Sequence, residues 1–134
     1  MLTAHAALIY AMVIVSAADR DMADAELHAI GEMVQHLPVF RGYDRESLTA
    51  DARDCGRLVR QEDGFRQTLE LIALSLPGYL RETCYTLACD VAGATGKVAP
   101  EEARVLQLLR QHLKLDRLVT VAIERAARAR HMVL

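Results

Sequence analysis

The feature that most constrains this chain is an internal repeat. Displacing the sequence by 76 residues lays Gln35-His36-Leu37 on Gln111-His112-Leu113 without a gap. Val15 then falls on Val91, Ala18 on Ala94, Ala23 on Ala99 and Glu26 on Glu102. Met22 falls on Val98, an apolar residue in the middle of each connection. In both copies an apolar run precedes the connection and an amphipathic run follows it. That pattern predicts two helical hairpins of similar shape, about residues 6–37 and 82–113, packed about a pseudo-twofold axis in one domain spanning 1–134.

The rest of the chain follows the same period. Residues 3–18 contain no Gly, Pro, Asn or Asp, which predicts a first helix, apolar nearly all round and therefore central. A second runs from about Ala23 to Leu37 on a stripe of Leu27, Ile30, Met33, Val34 and Leu37, and Pro38 ends it. Asp44 is placed to cap a third helix carrying Leu48, Ala52, Cys55 and Val59. Asp63-Gly64 and Pro77-Gly78 bracket a fourth, about Phe65 to Leu76. The fifth spans about Tyr79 to Ala94. Pro100 opens the sixth, with Ala103, Leu106, Leu109 and Leu113 inward. Asp116 caps the seventh, with Val119, Ala122, Ile123 and Ala126 inward. Aromatic residues are only 4% and Trp is absent, so the core is built from Leu, Val, Ile, Ala and Met, which favours helix packing. The expectation is an all-α chain of about seven helices.

Charge and motifs exclude several functions. Net charge is −2, with no basic stripe of the kind nucleic acid requires. The apolar run at residues 6–15 has no Lys or Arg before it, so it is not read as a signal peptide. It is also too short to span a bilayer, and a cytoplasmic protein without a transmembrane segment is expected. Cys55, Cys84 and Cys89 form no C-x-x-C pair and read as small buried apolar residues in a reducing compartment. No phosphate loop, nucleophile elbow, Cys-His pairing or zinc-protease motif is present, and no enzymatic activity is expected. His36 and His112, equivalent in the repeat, read as contacts at helix C-termini. Arg125, Arg128 and Arg130 read as solvated cations on the last turns of the seventh helix, with a phosphate or lipid site as the alternative.

The acids of the first connection invite a sharper question. Asp19, Asp21, Asp24 and Glu26 fall within eight residues. Helix capping accounts for Asp24 and Glu26, because anions in a first turn meet the positive end of the dipole and Glu26 can reach back to the cap. Glu101 and Glu102 do the same in the second copy. Capping does not require Asp19 and Asp21. Converging carboxylates suit a hard divalent cation such as Ca²⁺ or Mg²⁺, although the spacing is not that of an EF-hand. Both readings, a cation site and a capped, solvated turn, stay open on the sequence. Asp90, late in the fifth helix where the first helix has Ile14, either faces water, reaches an Arg or joins an acidic cluster from the other hairpin.

The combination Ala17-Ala18-Asp19…Met22…Glu26 after a long apolar helix resembles the A-A-D-G-x-[IV]-x-x-x-E signature of the tellurite-resistance TerB family. Ala92-Gly93-Ala94-Thr95-Gly96-Lys97-Val98-Ala99-Pro100-Glu101-Glu102 is similar to the same signature, and the likeness covers about residues 6–130. Arg20 stands where the family has glycine in the first copy, and Thr95 where it has aspartate in the second. The resemblance implies an all-helical two-repeat fold and a bacterial stress-response role, with acidic residues holding metal. The candidate metal set is Asp19, Asp21, Asp24, Glu26, Asp90 and Glu102, for Ca²⁺, Mg²⁺ or Zn²⁺. The alternative expectation is a metal-independent interaction module in a membrane-proximal stress complex. Protein partners in a stress-resistance complex are expected, with a homodimer as a further option. A tellurium oxyanion as substrate is disfavoured, since the acidic turn repels it.

Overall fold

A computed structural model describes residues 1–18 and 23–134. Seven α-helices follow one another: α1 (Ala4–Ser16), α2 (Asp24–His36), α3 (Leu48–Val59), α4 (Gly64–Ser75), α5 (Arg81–Gly93), α6 (Pro100–Leu113) and α7 (Arg117–Arg130). Single 3₁₀ turns at Pro38–Phe40, Arg45–Ser47 and Gly78–Leu80 precede α3 and α5. There is no strand among the described residues, and the chain is all-α as its periodicity predicts. Among the described residues no helix is long and apolar enough to cross a membrane.

Helix α1 is the axis of the molecule. Every residue from Ala6 to Ser16 is buried. It packs against α5, α3, α4, α6 and α2, so no side of it meets water. Complete burial of Leu8, Ile9 and Met12 contributes about 1.5–3 kcal/mol each. Thr3 caps the helix by accepting a hydrogen bond from the Ala6 N–H. His5 anchors the connector after α2: its Nε2 lies 2.8 Å from the Val39 carbonyl, and its ring stacks on Phe40.

The two hairpins meet reciprocally, α1 touching α6 as α5 touches α2. The third helix of each half completes the likeness. α3 lies on α1 and α7 lies on α5. The chain is thus a repeat of three helices with α4 inserted between the copies. The α3–α4 corner is tight: Asp63 takes a left-handed backbone (φ 57°), and a Cβ on Gly64 would sit 2.1 Å from the Leu58 carbonyl oxygen.

Several inward positions differ from those read off the sequence. Leu27 is 46% exposed, while Glu26 is buried and heads the inner stripe of α2 with Ile30 and Val34. The same exchange occurs in α6, where Ala103 is exposed and Glu102 is buried above Val105, Leu106, Leu109 and Leu113. In α7 the inward residues are Thr120, Ile123 and Ala127, and Ala122 and Ala126 face out. Asp44 caps the 3₁₀ turn that leads into α3 through the Glu46 N–H, and not α3 itself. Asp116 occupies the N-cap of α7, but its side chain accepts no hydrogen bond from the helix. The differences in inward face have one origin. An apolar period fixes a face only to within the spread of neighbouring positions, and the packed neighbours decide which edge of that face is covered.

Candidate functional site

The six acids of the candidate metal set go to different places. Asp19 and Asp21 lie outside the described residues. Asp24 is exposed on the first turn of α2. Glu26 is 2% exposed, and its Oε1 accepts a hydrogen bond from the Ser16 hydroxyl at 3.2 Å. It thereby ties the last turn of α1 to the first turn of α2. Glu102 is 1% exposed and does reach back, its Oε1 accepting from the Ala99 N–H at 3.1 Å. Asp90 sits at the end of α5 and holds Arg130 at 2.7 Å and His131 at 3.3 Å, so of its three readings the arginine contact is the one present. Among the described residues no group of three or more His, Cys, Asp or Glu side chains is gathered as a metal site.

The two equivalent histidines differ as well. The Nδ1 of His112 lies 3.0 Å from the Leu108 carbonyl on its own last turn. His36 instead leans on Glu32, with 3.3 Å between Nε2 and the carboxylate.

The most open chemistry lies elsewhere, between α6 and α7. Both helices rest on α5, but little packing joins them to each other, and the Arg110–Glu124 ion pair bridges the gap. The gap is a trough of about 390 Å³. Its floor is Cys89 and Gly93 of α5 with Leu106 and Ala127, and its edges are Val98, Val121 and Met132. These three edge residues are 45%, 48% and 71% exposed. The trough continues past Leu106 and Glu124 into a shallower recess bounded by Pro100, Ala103, Arg104 and Gln107.

A closed polar network crosses the junction. The Tyr85 hydroxyl donates to Glu124, and Arg110 reaches both the Tyr85 oxygen and the Glu124 carboxylate at 3.2 Å. Glu124 is therefore neutralised in place. Burial, with the Glu124 carboxylate beside it, drives the Tyr85 phenol well above its ordinary range. Burial also pushes the thiols of Cys55, Cys84 and Cys89 up to about 12, so all three are protonated at neutral pH and poor nucleophiles. Arg125 and Arg128, one turn apart on the wall of the trough, pair with no carboxylate among the described residues.

No motif in the sequence marked this trough. Val98 was visible only as the repeat partner of Met22, and Arg125 and Arg128 only as a basic helix end. Comparison with protein-family models, curated proteins and solved structures finds no match to this chain.

Proposed function

We propose that this chain is a non-catalytic binding module of a TerB-like stress response, and that it engages a protein partner through the trough between α6 and α7. The observation that carries this reading is the trough: an apolar-floored depression of about 390 Å³ walled by Arg125 and Arg128. Concave, largely apolar surface with a few charged groups at its edge is what recognition sites are made of. The non-catalytic part is supported by the three protonated, buried thiols and by a Tyr85–Glu124–Arg110 network whose members satisfy one another. The stress-response part rests on the doubled A-A-D-type motif. A reducing, cytoplasmic setting suits the free thiols.

The test is growth under tellurite in cells lacking the chain, restored with the wild type or with Val121→Asp. Val121 is 48% exposed, so the new charge disturbs the trough and not the core. The variant is expected to fold normally and fail to restore growth. Full restoration by a folded Val121→Asp protein would overturn the reading.

A second reading, a divalent cation held by Asp19, Asp21 and Asp24, rests on the spacing of these acids, of which capping does not require Asp19 and Asp21. Asp24 is exposed beside that turn and enters no hydrogen bond or ion pair among the described residues. Calorimetric titration with Ca²⁺, Mg²⁺ and Zn²⁺ is expected to give heat that Asp19→Ala/Asp24→Ala abolishes. Equal or absent heats in both proteins would end it.

A further inference from the structure

Resting on the reading of the trough as a docking site, we propose that its occupant is an amphipathic helix of a partner protein, with an apolar stripe flanked by carboxylates on both sides. The fold supplies the first reason. α3 is clasped between α1 and α4, whereas α5 is the one element against which its counterpart α7 packs extensively. In the second half the edges Val98, Val121 and Met132 stand open to solvent. A helix laid into a groove between two helices buries such edges through its own i, i+3, i+4, i+7 stripe.

Charge supplies the second reason. Arg125 and Arg128 stand on the α7 side of the trough, and Arg104 stands on the α6 side of its continuation. The Arg104 guanidinium bonds to the neutral Gln107 amide. None of the three meets a carboxylate among the described residues, so they leave the trough and its continuation positively charged. The one acid in the lining among the described residues, Glu124, is already held by Arg110 and Tyr85. An apolar strip with uncompensated cations on both sides is complementary to an apolar stripe with acids on both sides. A simple fatty carboxylate, charged at one end, would engage only one of those sides.

Length sets the probe. α7 has 14 residues, about 21 Å at 1.5 Å per residue. A dye-labelled synthetic helix of about 14 residues, with leucines at i, i+3, i+4 and i+7 and glutamates on either side, is titrated with the full chain by fluorescence anisotropy. Saturable binding is expected, and a permuted peptide of the same composition is expected not to bind. Arg125→Glu/Arg128→Glu should weaken binding by about tenfold or more, and Arg125→Gln/Arg128→Gln by less. Val121→Asp should abolish it, with circular dichroism confirming that each variant is folded. Tighter binding of a lysine-flanked peptide, blocked by Val121→Asp, would reject the acidic partner and leave the trough as a docking site. Dodecanoate that binds in a Val121-dependent way and is not displaced by the acidic peptide would reject a helical occupant. If no peptide binds, or if binding ignores Val121→Asp, the docking site itself is overturned.

Discussion

The two halves of the molecule share a register and a buried glutamate, but differ in the side chains around it and in what that glutamate holds. In the first, Ser16 ends α1 and holds the buried Glu26. In the second, the position of Ser16 is Ala92, which offers no hydroxyl, and the buried Glu102 turns to the Ala99 N–H. In the first, Ile14 is 4% exposed in the core; in the second, its counterpart Asp90 reaches out to Arg130 and His131. α1 is enclosed on every side and α5 is left with a trough along one side. A repeated fold therefore keeps its carboxylate as a fastening for the hairpin, while the surface around the second copy is free to acquire another use. The acids that look most like a ligand site in the sequence are, in Glu26 and Glu102, part of the fastening.

The largest way to break the comparison is to exchange the residues at one register. Ile14→Asp buries a charge with no cation waiting for it, and should cost about 3–5 kcal/mol or prevent folding. Asp90→Ile removes only an ion pair whose arginine is half exposed, and should cost under about 1 kcal/mol. Urea denaturation of both variants measures the contrast. Equal losses would mean that the two positions are not equivalent in the way the packing indicates. Next in size is Ser16→Ala, which gives the first half the residue of the second. Glu26 then loses its buried donor, at about 1–3 kcal/mol, seen as a fall in Tm. A Tm unchanged from wild type would show that Glu26 is held by something other than Ser16.

The thiols give a third contrast, read against pH. Two of the three, Cys84 and Cys89, lie in α5, and Cys55 lies in α3. Burial raises each from an ordinary 9 to about 12 in the folded state. A folded pKa above the unfolded one means that the native state holds the proton more tightly. The stability tied to the neutral thiol is fully present below pH 9 and is lost as pH rises towards 12. The loss is about 1.4 kcal/mol per pH unit for each thiol. The raised Tyr43 and Tyr85 phenols add to it in the same direction. Denaturation between pH 8 and 11 should be flat up to about pH 9 and fall above it, the fall being reduced more by Cys84→Ala/Cys89→Ala than by Cys55→Ala. Equal flattening would contradict a similar burial-driven shift of all three thiols.

The helices and the repeat were legible because they depend on local period and on breakers such as Pro38, Pro77 and Pro100. Burial of Glu26 and Glu102 was not. A Glu three residues into a helix looks like a capping residue whether it points to water or to the core, and only the partner helix decides. Asp90 was legible as an anomaly, but its partners Arg130 and His131 lie about 40 residues away in the chain. The trough left no trace in the sequence. It arises because α6 and α7 rest on α5 with little direct packing between them, and that separation is set by tertiary packing and not by any run of residues.

The most direct test of the difference between the halves is to map where the acidic amphipathic peptide perturbs backbone amide resonances of the full chain. If the second half carries the binding surface, shifts should gather at Val98, Leu106, Val121, Arg125 and Ala127, with Ile30, Val34 and Cys55 unmoved. Shifts centred on α2 or α3, with the α6–α7 residues unmoved, would contradict it.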